Sequence, residues 1–465
     1  MTAAANSQSL KRFIEKHILL GRPLTTELTA ILLVYFVQGI LGLARLAVSF
    51  FLKDDLGLSP AEVAALTGIA SLPWTIKPIF GFLSDGLPLF GYRRRPYLIL
   101  SGLLGTAAWL VLATVAHTAW LATAMILLSS LSVAISDVIV DSLVVERARH
   151  ESQHDTGTLQ SLCWGASAIG GLLTAYLGGL LLEQTSTRLV FAVTATFPLI
   201  VSVVAWLITE NPIEKQTNFQ TVWQQVKQLK AAFSQRVIWM PALFLFLWQS
   251  TPSADSAFFF FTTNDLGFEP EFLGRVRLVT SIAALIGIAI FQRFLKAVPF
   301  RIIFAWSTVL ASLGGMTTLL LVTHTNRTLG IDDQWFSLGD SAILTVMGQI
   351  AFMPVLVLSA RLCPAGVEAT LFALLMSIVN LAGLLSHELG ALLTHWLHVT
   401  ETDFENLWLL VTITNLTTLL PLPLLFLLPS TSASSEEVLQ PLSEAAITTD
   451  GSTALETTLT SSSVT

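Results

Sequence analysis

Ionisable side chains inside long apolar runs are the residues of this sequence that could do chemistry. Placing one at the middle of a membrane helix costs roughly 2.5–3.5 kcal/mol on insertion scales, so such residues are rare and mark ion, proton or substrate paths. Arg45, Lys77, Asp137, Asp141, Asp255 and the neighbours His387 and Glu388 all sit in such runs. Arg45 and Asp255 could recognise a charged solute, since a guanidinium offers a carboxylate two parallel hydrogen bonds. The plainer reading is a structural ion pair. Lys77, beside Pro78, could join them or snorkel to the membrane edge. Arg275 and Arg277 open an apolar run near its outer end and are read as snorkelling.

Asp137 and Asp141 are one helical turn apart and so share a face. Burial favours a neutral carboxylic acid, which suits a group that takes up and releases a proton. Asp137 is the better proton site. Asp141, nearer the end of its run, is expected to pair with basic residues of neighbouring loops. The stretch Gln249-Ser250-Thr251-Pro252-Ser253-Ala254-Asp255 is polar, and Pro252 frees a backbone carbonyl. Interrupted helices at mid-membrane line binding sites, with an ordinary proline kink as the plain alternative. Enzyme signals are weak. His387-Glu388 begins like a zinc-protease motif, but Ala391 stands where the second histidine belongs. No cofactor or metal is expected, and a metal-dependent membrane enzyme built on Asp137 and Asp141 is the remote alternative.

The elements that must position these groups are legible in the composition. The chain has 465 residues, 53% apolar and 12% charged, where a soluble domain carries about a quarter charged residues. Apolar residues come in blocks of about twenty, enough to span a ~30 Å hydrocarbon core as a helix. Twelve blocks are read, near 27–51, 60–83, 97–116, 119–143, 156–182, 188–209, 237–262, 270–293, 299–323, 338–359, 366–395 and 405–428. Hydrocarbon offers the backbone no partners, so each block must be a helix. The reading is an all-α membrane protein of twelve transmembrane helices.

Of 24 Lys and Arg residues, only Lys53, Arg188 and Arg327 fall in loops on the side away from residue 1. Four lie inside blocks, and seventeen lie on the other side, which puts both termini in the cytoplasm. The expected division is an amphipathic cytoplasmic segment (1–26), a six-helix bundle (27–209), a polar cytoplasmic linker (210–236), a second six-helix bundle (237–428) and a Ser/Thr/Glu-rich disordered tail (429–465). Cys163 and Cys363 give no disulfide framework. The halves repeat. A shift of 210 positions lays Asp55-Leu56-Gly57 on Asp265-Leu266-Gly267, Pro60 on Pro270, Phe50-Phe51 on Phe260-Phe261, and Arg45 on Asp255. Parallel repeats about an axis along the membrane normal would then aim Arg45 and Asp255 at one central cavity.

Gly81-Phe82-Leu83-Ser84-Asp85, followed by Gly91-Tyr92-Arg93-Arg94-Arg95, resembles the loop between the second and third helices of major facilitator transporters. That resemblance implies a gate. Glu146 and Arg149 end the fourth block on the same side and could form an ion network with Arg93, Arg94 and Arg95 in one state only. Asp85 could meet the positive end of the eleventh helix, after Arg361-Leu362-Cys363-Pro364. A narrower likeness runs through Gly42-Leu43-Ala44-Arg45-Leu46-Ala47, Phe50 to Pro60, Lys77 to Gly86 and Phe90 to Tyr97. These residues are similar to the folate–biopterin transporter family, and the short N-terminus is more like a cyanobacterial member than a plant one.

The resemblance implies a secondary carrier of folates, pterins or antifolates in the plasma (inner) membrane, working by alternating access. It implies proton coupling through Asp137 or Asp141. Arg45 and Lys77 would engage the glutamate carboxylates of folate. Asp255 or Asp137 would accept from the donor edge of the pterin. Gln249 would add a polar contact, and Trp74, Trp164 or Trp248 would stack on the ring. The carrier is expected to act as a monomer with no nucleic-acid partner. A carrier of another organic anion or drug on the same fold is the alternative.

Overall fold

The computed structural model describes residues 23–148, 158–210, 233–295, 298–362 and 368–428, with isolated positions at 15, 19, 212, 227, 230 and 231. Most of the amphipathic segment and of the linker, Cys363 and the tail lie outside the described residues. Eleven helices among the described residues are long and apolar enough to cross a membrane. They are α1 (Thr26–Asp55), α2 (Pro60–Ser84), α3 (Arg95–Thr114), α4 (Ala119–Val144), α5 (Leu162–Gln184) and α6 (Thr187–Leu207), then α8 (Pro270–Leu295), α9 (Phe300–Val322), α10 (Asp333–Ser359), α11 (Leu371–Trp396) and α12 (Leu407–Leu427). Between α6 and α8 runs α7, a shorter apolar helix (Arg236–Gln249) that resumes after a break as Asp255–Phe260.

The expected blocks match these helices within a few residues, and two differences have physical causes. The tenth begins at Asp333 rather than 338. Its first turn is polar, and the Gln334 N–H donates to Asp332 Oδ1 at 2.9 Å, so a side-chain cap starts the helix before the apolar run does. The seventh is not one helix, because Pro252 cannot donate into the ladder.

The packing is pairwise. α1 lies on α5, α3 on α4 and α6, α9 on α10 and α12, and α7 on α11. Residues 26–207 meet residues 236–427 mainly along two seams, α2 against α11 and α5 against α8. Four apolar cores result. One holds Ile31, Val34, Leu98, Ile139, Cys163 and Val201. Another gathers Phe51, Trp109, Leu112 and Phe191, and draws in Phe260 from α7. The other two fill the space within α7–α12, around Phe244 and Phe304 and around Phe261 and Leu410.

The turns after α1 and α7 are built alike, 210 positions apart. Each helix widens into a π-turn, Phe51–Asp55 and Phe261–Asp265. Each ends on a glycine in the left-handed region, Gly57 at φ 63° and Gly267 at φ 66°, where a side chain would be strained. The Leu58 N–H donates to Leu52 O at 3.1 Å, and the Phe268 N–H to Thr262 O at 2.9 Å. Pro60 and Pro270 then open the next helix, where a missing N–H costs nothing.

Candidate functional site

One group of polar side chains lies among α1, α2 and α4. Pro78 has no N–H to give the Trp74 carbonyl, so α2 breaks at Ile76 and restarts at Lys77. Asn380 Nδ2 of α11 donates to that orphaned carbonyl at 3.0 Å. The break turns Lys77 towards α4, where its ammonium forms an ion pair with Asp137. The two side chains are 18% and 16% exposed. Trp74 lies beneath, its ring centroid 4.9 Å from Lys77 Nζ, a cation–π geometry. Lys77 therefore points inward rather than snorkelling. One turn on, Asp141 accepts a hydrogen bond from the Tyr35 hydroxyl of α1. The expected pairing of Asp141 with loop cations is replaced by this bond. Tyr35 was not singled out in the sequence, because a tyrosine in an apolar run reads as packing.

A second set of charged side chains lies on α1, α7 and α8. Arg45 is ten residues from the end of α1, about 15 Å along it, and is exposed. Asp255 is exposed at the start of the second arm of α7, its N–H bonded to Ser253 Oγ at 3.1 Å. No ion pair links Arg45 with Asp255 among the described residues, so the structural-pair reading of these two does not hold. The neighbour that Arg45 acquires is Arg277. Read from the sequence as snorkelling, Arg277 instead turns to α1 and donates to the Gly42 carbonyl at a long 3.4 Å. Its sequence neighbour Arg275 pairs with Glu271 at 2.5 Å.

The break in α7 is stitched to α11. The Ser253 N–H donates to Ser386 O at 3.2 Å, and Ser386 Oγ donates to the Thr251 carbonyl at 2.6 Å. The contact requires a glycine at 390, since a Cβ there would run into the Ser253 carbonyl. Gln249 is half-buried at the end of the first arm. Trp248 is turned away to α9, its Nε1 donating to Thr308 at 2.9 Å and its ring edge-on to Phe304. Trp164 is exposed. On α11, Glu388 Oε1 overhangs Gly68 of α2. His387 stands beside it, and no third His, Cys, Asp or Glu joins them to hold a metal among the described residues.

The Gly91–Arg95 loop is held to Glu210, a residue not singled out in the sequence. Leu89 and Tyr92 exchange backbone hydrogen bonds, both 2.9 Å, around Phe90 (φ 53°) and Gly91 (φ 82°). Two positive φ values in a two-residue turn make type I′. The Glu210 carboxylate, just past α6, then accepts the N–H groups of Arg93 at 2.6 Å, Arg94 at 3.0 and 3.2 Å, and Arg95 at 3.0 Å. Arg94 is buried and reaches Ser84 Oγ at 2.8 Å, and Arg95 reaches the Ile208 carbonyl at 2.6 Å. Arg149 and the side chains of Asp85 and Glu146 lie outside the described residues. Gly81 faces Val138 of α4 at ordinary contact distance. Glu210 had no sequence signal beyond its place at a helix end.

At the two π-turns the first and second sets of helices touch. Lys53 Nζ donates to Asn264 Oδ1 at 2.8 Å, and Phe50 stacks edge-on with Phe259 at 5.3 Å.

The sequence profile of the BT1 family matches residues 38–441. The chain is 63% identical over 424 residues to the folate-biopterin transporter of Synechocystis sp. (strain ATCC 27184 / PCC 6803 / Kazusa), covering 91% of this chain and 86% of that protein. It is 36% identical over 403 residues to the probable folate-biopterin transporter 2 of Arabidopsis thaliana, covering 84% and 80%. Among solved structures, the nucleoside transporter NupG superposes with a TM-score of 0.66 at 14% identity, over 86% of this chain and 98% of that one. A bacterial homologue of the human lysosomal transporter Spinster, in an inward-facing and occupied conformation, gives 0.63 at 14% identity, over 86% and 95%. These likenesses show the fold.

Proposed function

The chain belongs to the BT1 family, and on that premise we propose that it carries folates and pterins across the membrane by alternating access. It is a multi-pass membrane transporter and not an enzyme. Its relatives are named for folate and biopterin transport. One observation in the structure carries the reading furthest: the Lys77–Asp137 pair, over the Trp74 ring and beside Asp141, within helices that are otherwise apolar. Such charge inside a bilayer is costly unless it serves a solute or ion. A pterin offers a flat ring for Trp74 and a donor edge for a carboxylate. Folate adds carboxylates that Arg45 engages, with Lys77 beside Trp74 and with Gln249 and Asp255 beside the break in α7.

In this reading the chain has twelve spans in two six-helix repeats, 27–209 and 237–428, with both termini in the cytoplasm of a plasma-membrane monomer. The matching turns at 51–60 and 261–270 support the repeat, and the paired seams α2–α11 and α5–α8 support its pseudo-twofold axis. The contact of Lys53 and Phe50 with Asn264 and Phe259 then closes the outer side. Asp137 and Asp141 take up the coupling proton, and the Gly81–Arg95 loop, with Asp85, Glu146 and Arg149, gates the inner side. Uptake of labelled folate into cells lacking their own folate carrier tests the function. Saturable uptake that rises with an inward proton gradient is expected. Uptake no higher than in cells without the protein refutes the carrier reading, and uptake indifferent to the gradient refutes proton coupling.

A further inference from the structure

Resting on the reading of the chain as a folate carrier, we propose that Arg45 and Arg277 form a two-guanidinium clamp for the paired carboxylates of the folate glutamate tail. Arg277 belongs to α8 and Arg45 to α1, so the clamp has one jaw from each repeat.

Two small-residue contacts create the juxtaposition. A Cβ on Gly178 of α5 would lie 3.0 Å from the Leu43 carbonyl of α1. A Cβ on Gly179 would lie 2.7 Å from Gly274 Cα of α8. α1, α5 and α8 thus meet backbone to backbone at this level. Arg277 follows Gly274 by one turn and reaches the Gly42 carbonyl. Arg45 follows Gly42 by one turn on α1, so the side chain that reaches the Gly42 carbonyl lies on the same stretch of α1 as Arg45.

Neither guanidinium has a carboxylate within ion-pair distance among the described residues. Three carboxylates of the neighbouring helices are engaged elsewhere, Glu271 by Arg275 and Tyr176, Asp137 by Lys77 and Asp141 by Tyr35, and Asp255 is exposed without an ion pair to either guanidinium. Two like charges side by side between membrane helices are unfavourable unless an anion joins them. Snorkelling does not explain Arg277, whose side chain is turned to a neighbouring helix backbone rather than along its own helix to the interface. A dicarboxylate answers both charges, each guanidinium taking one carboxylate in bidentate fashion. A neutral pterin answers neither. The clamp therefore sets affinity for the tail, while the ring is read elsewhere.

The test uses the full-length protein and labelled folate uptake, with two competitors. One is 4-aminobenzoyl-glutamate, the tail without the ring; the other is biopterin, the ring without carboxylates. In Arg277→Gln, the inhibition constant of the tail probe is expected to rise about ten-fold, the loss of one charged hydrogen-bonded contact. That of biopterin moves far less, and its retention shows that the variant is folded. A ratio of the two constants equal to the wild-type ratio overturns the clamp. Should Arg277→Gln not reach the membrane, Arg277→Lys keeps the charge but loses the fork. It is expected to shift the same ratio about three-fold, and an unshifted ratio again overturns the proposal. Absence of folate uptake by the wild-type protein would instead remove the carrier reading itself.

Discussion

Neutralising either member of the Lys77–Asp137 pair tests whether the charge buried between α2 and α4 holds the fold, serves transport, or does both. Breaking a buried ion pair by removing one partner typically costs about 3–5 kcal/mol, because the other charge is left uncompensated. The two side chains here are less than a fifth exposed, so solvent screens little of that. The two single changes are not equivalent. Asp137→Asn leaves the Lys77 ammonium over the Trp74 ring, which returns about 1–2 kcal/mol, so a cost near 2–3 kcal/mol is expected. Lys77→Gln leaves Asp137 and Asp141 one turn apart with no cation between them, and should cost about 4 kcal/mol or more. The double variant removes both charges and leaves two hydrogen-bonding amides. It should recover to within about 1–2 kcal/mol of wild type, a coupling of at least about 2 kcal/mol. Equilibrium unfolding in mixed detergent and SDS micelles reads these differences. Folate uptake, measured alongside, should fall at least ten-fold in all three variants, so that stability returns in the double variant without transport. Additive single-variant costs, or wild-type uptake in the double variant, would refute the reasoning.

Other expectations concern the seams. Gly390→Ala would push a methyl group into the Ser253 carbonyl; a backbone atom cannot swing aside, so a loss of about 2–3 kcal/mol is expected in the same unfolding assay. A neutral effect would mean that α7 and α11 are not stitched there. Glu210→Gln exchanges a carboxylate that accepts four N–H bonds for an amide with a single acceptor oxygen. Local opening of the Arg93–Arg95 loop should become at least about ten-fold more frequent, read as faster tryptic cleavage after Arg93 and Arg94. Unchanged cleavage would dismiss Glu210 as the clasp. Tyr35→Phe removes the donor to Asp141 and should cost about 1–3 kcal/mol while shifting the pH profile of uptake; an unaltered profile would separate Asp141 from proton movement.

What the sequence disclosed follows from the strength of each physical signal. Apolar runs that must be helices in hydrocarbon fixed eleven spans to within a few residues, because the constraint is all-or-none. The matching turns 210 positions apart were readable because Gly57 and Gly267 answer the same demand for a left-handed residue. The partners of the charged groups were harder to see. Lys77 looked free to snorkel until the Pro78 break turned it onto Asp137. Arg277 looked interfacial because its position near a helix end says nothing of which way it leans; the glycines that draw α1 and α8 onto α5 decide that, and they act between helices. Glu210 was invisible for a related reason. Its role depends on three consecutive backbone N–H groups over a hundred residues away, and backbone donors leave no mark in composition.

The central claim is that a solute crosses by the two six-helix repeats rocking about the interior that holds Lys77, Asp137, Arg45 and Arg277. Cysteines placed at Lys53 and Asn264, whose side chains meet at 2.8 Å, can be bridged by a short bis-methanethiosulfonate reagent in a background lacking Cys163 and Cys363. The account predicts that bridging stops labelled folate uptake and that a reducing agent restores it. Uptake at the unbridged rate with the turns tied together would contradict it.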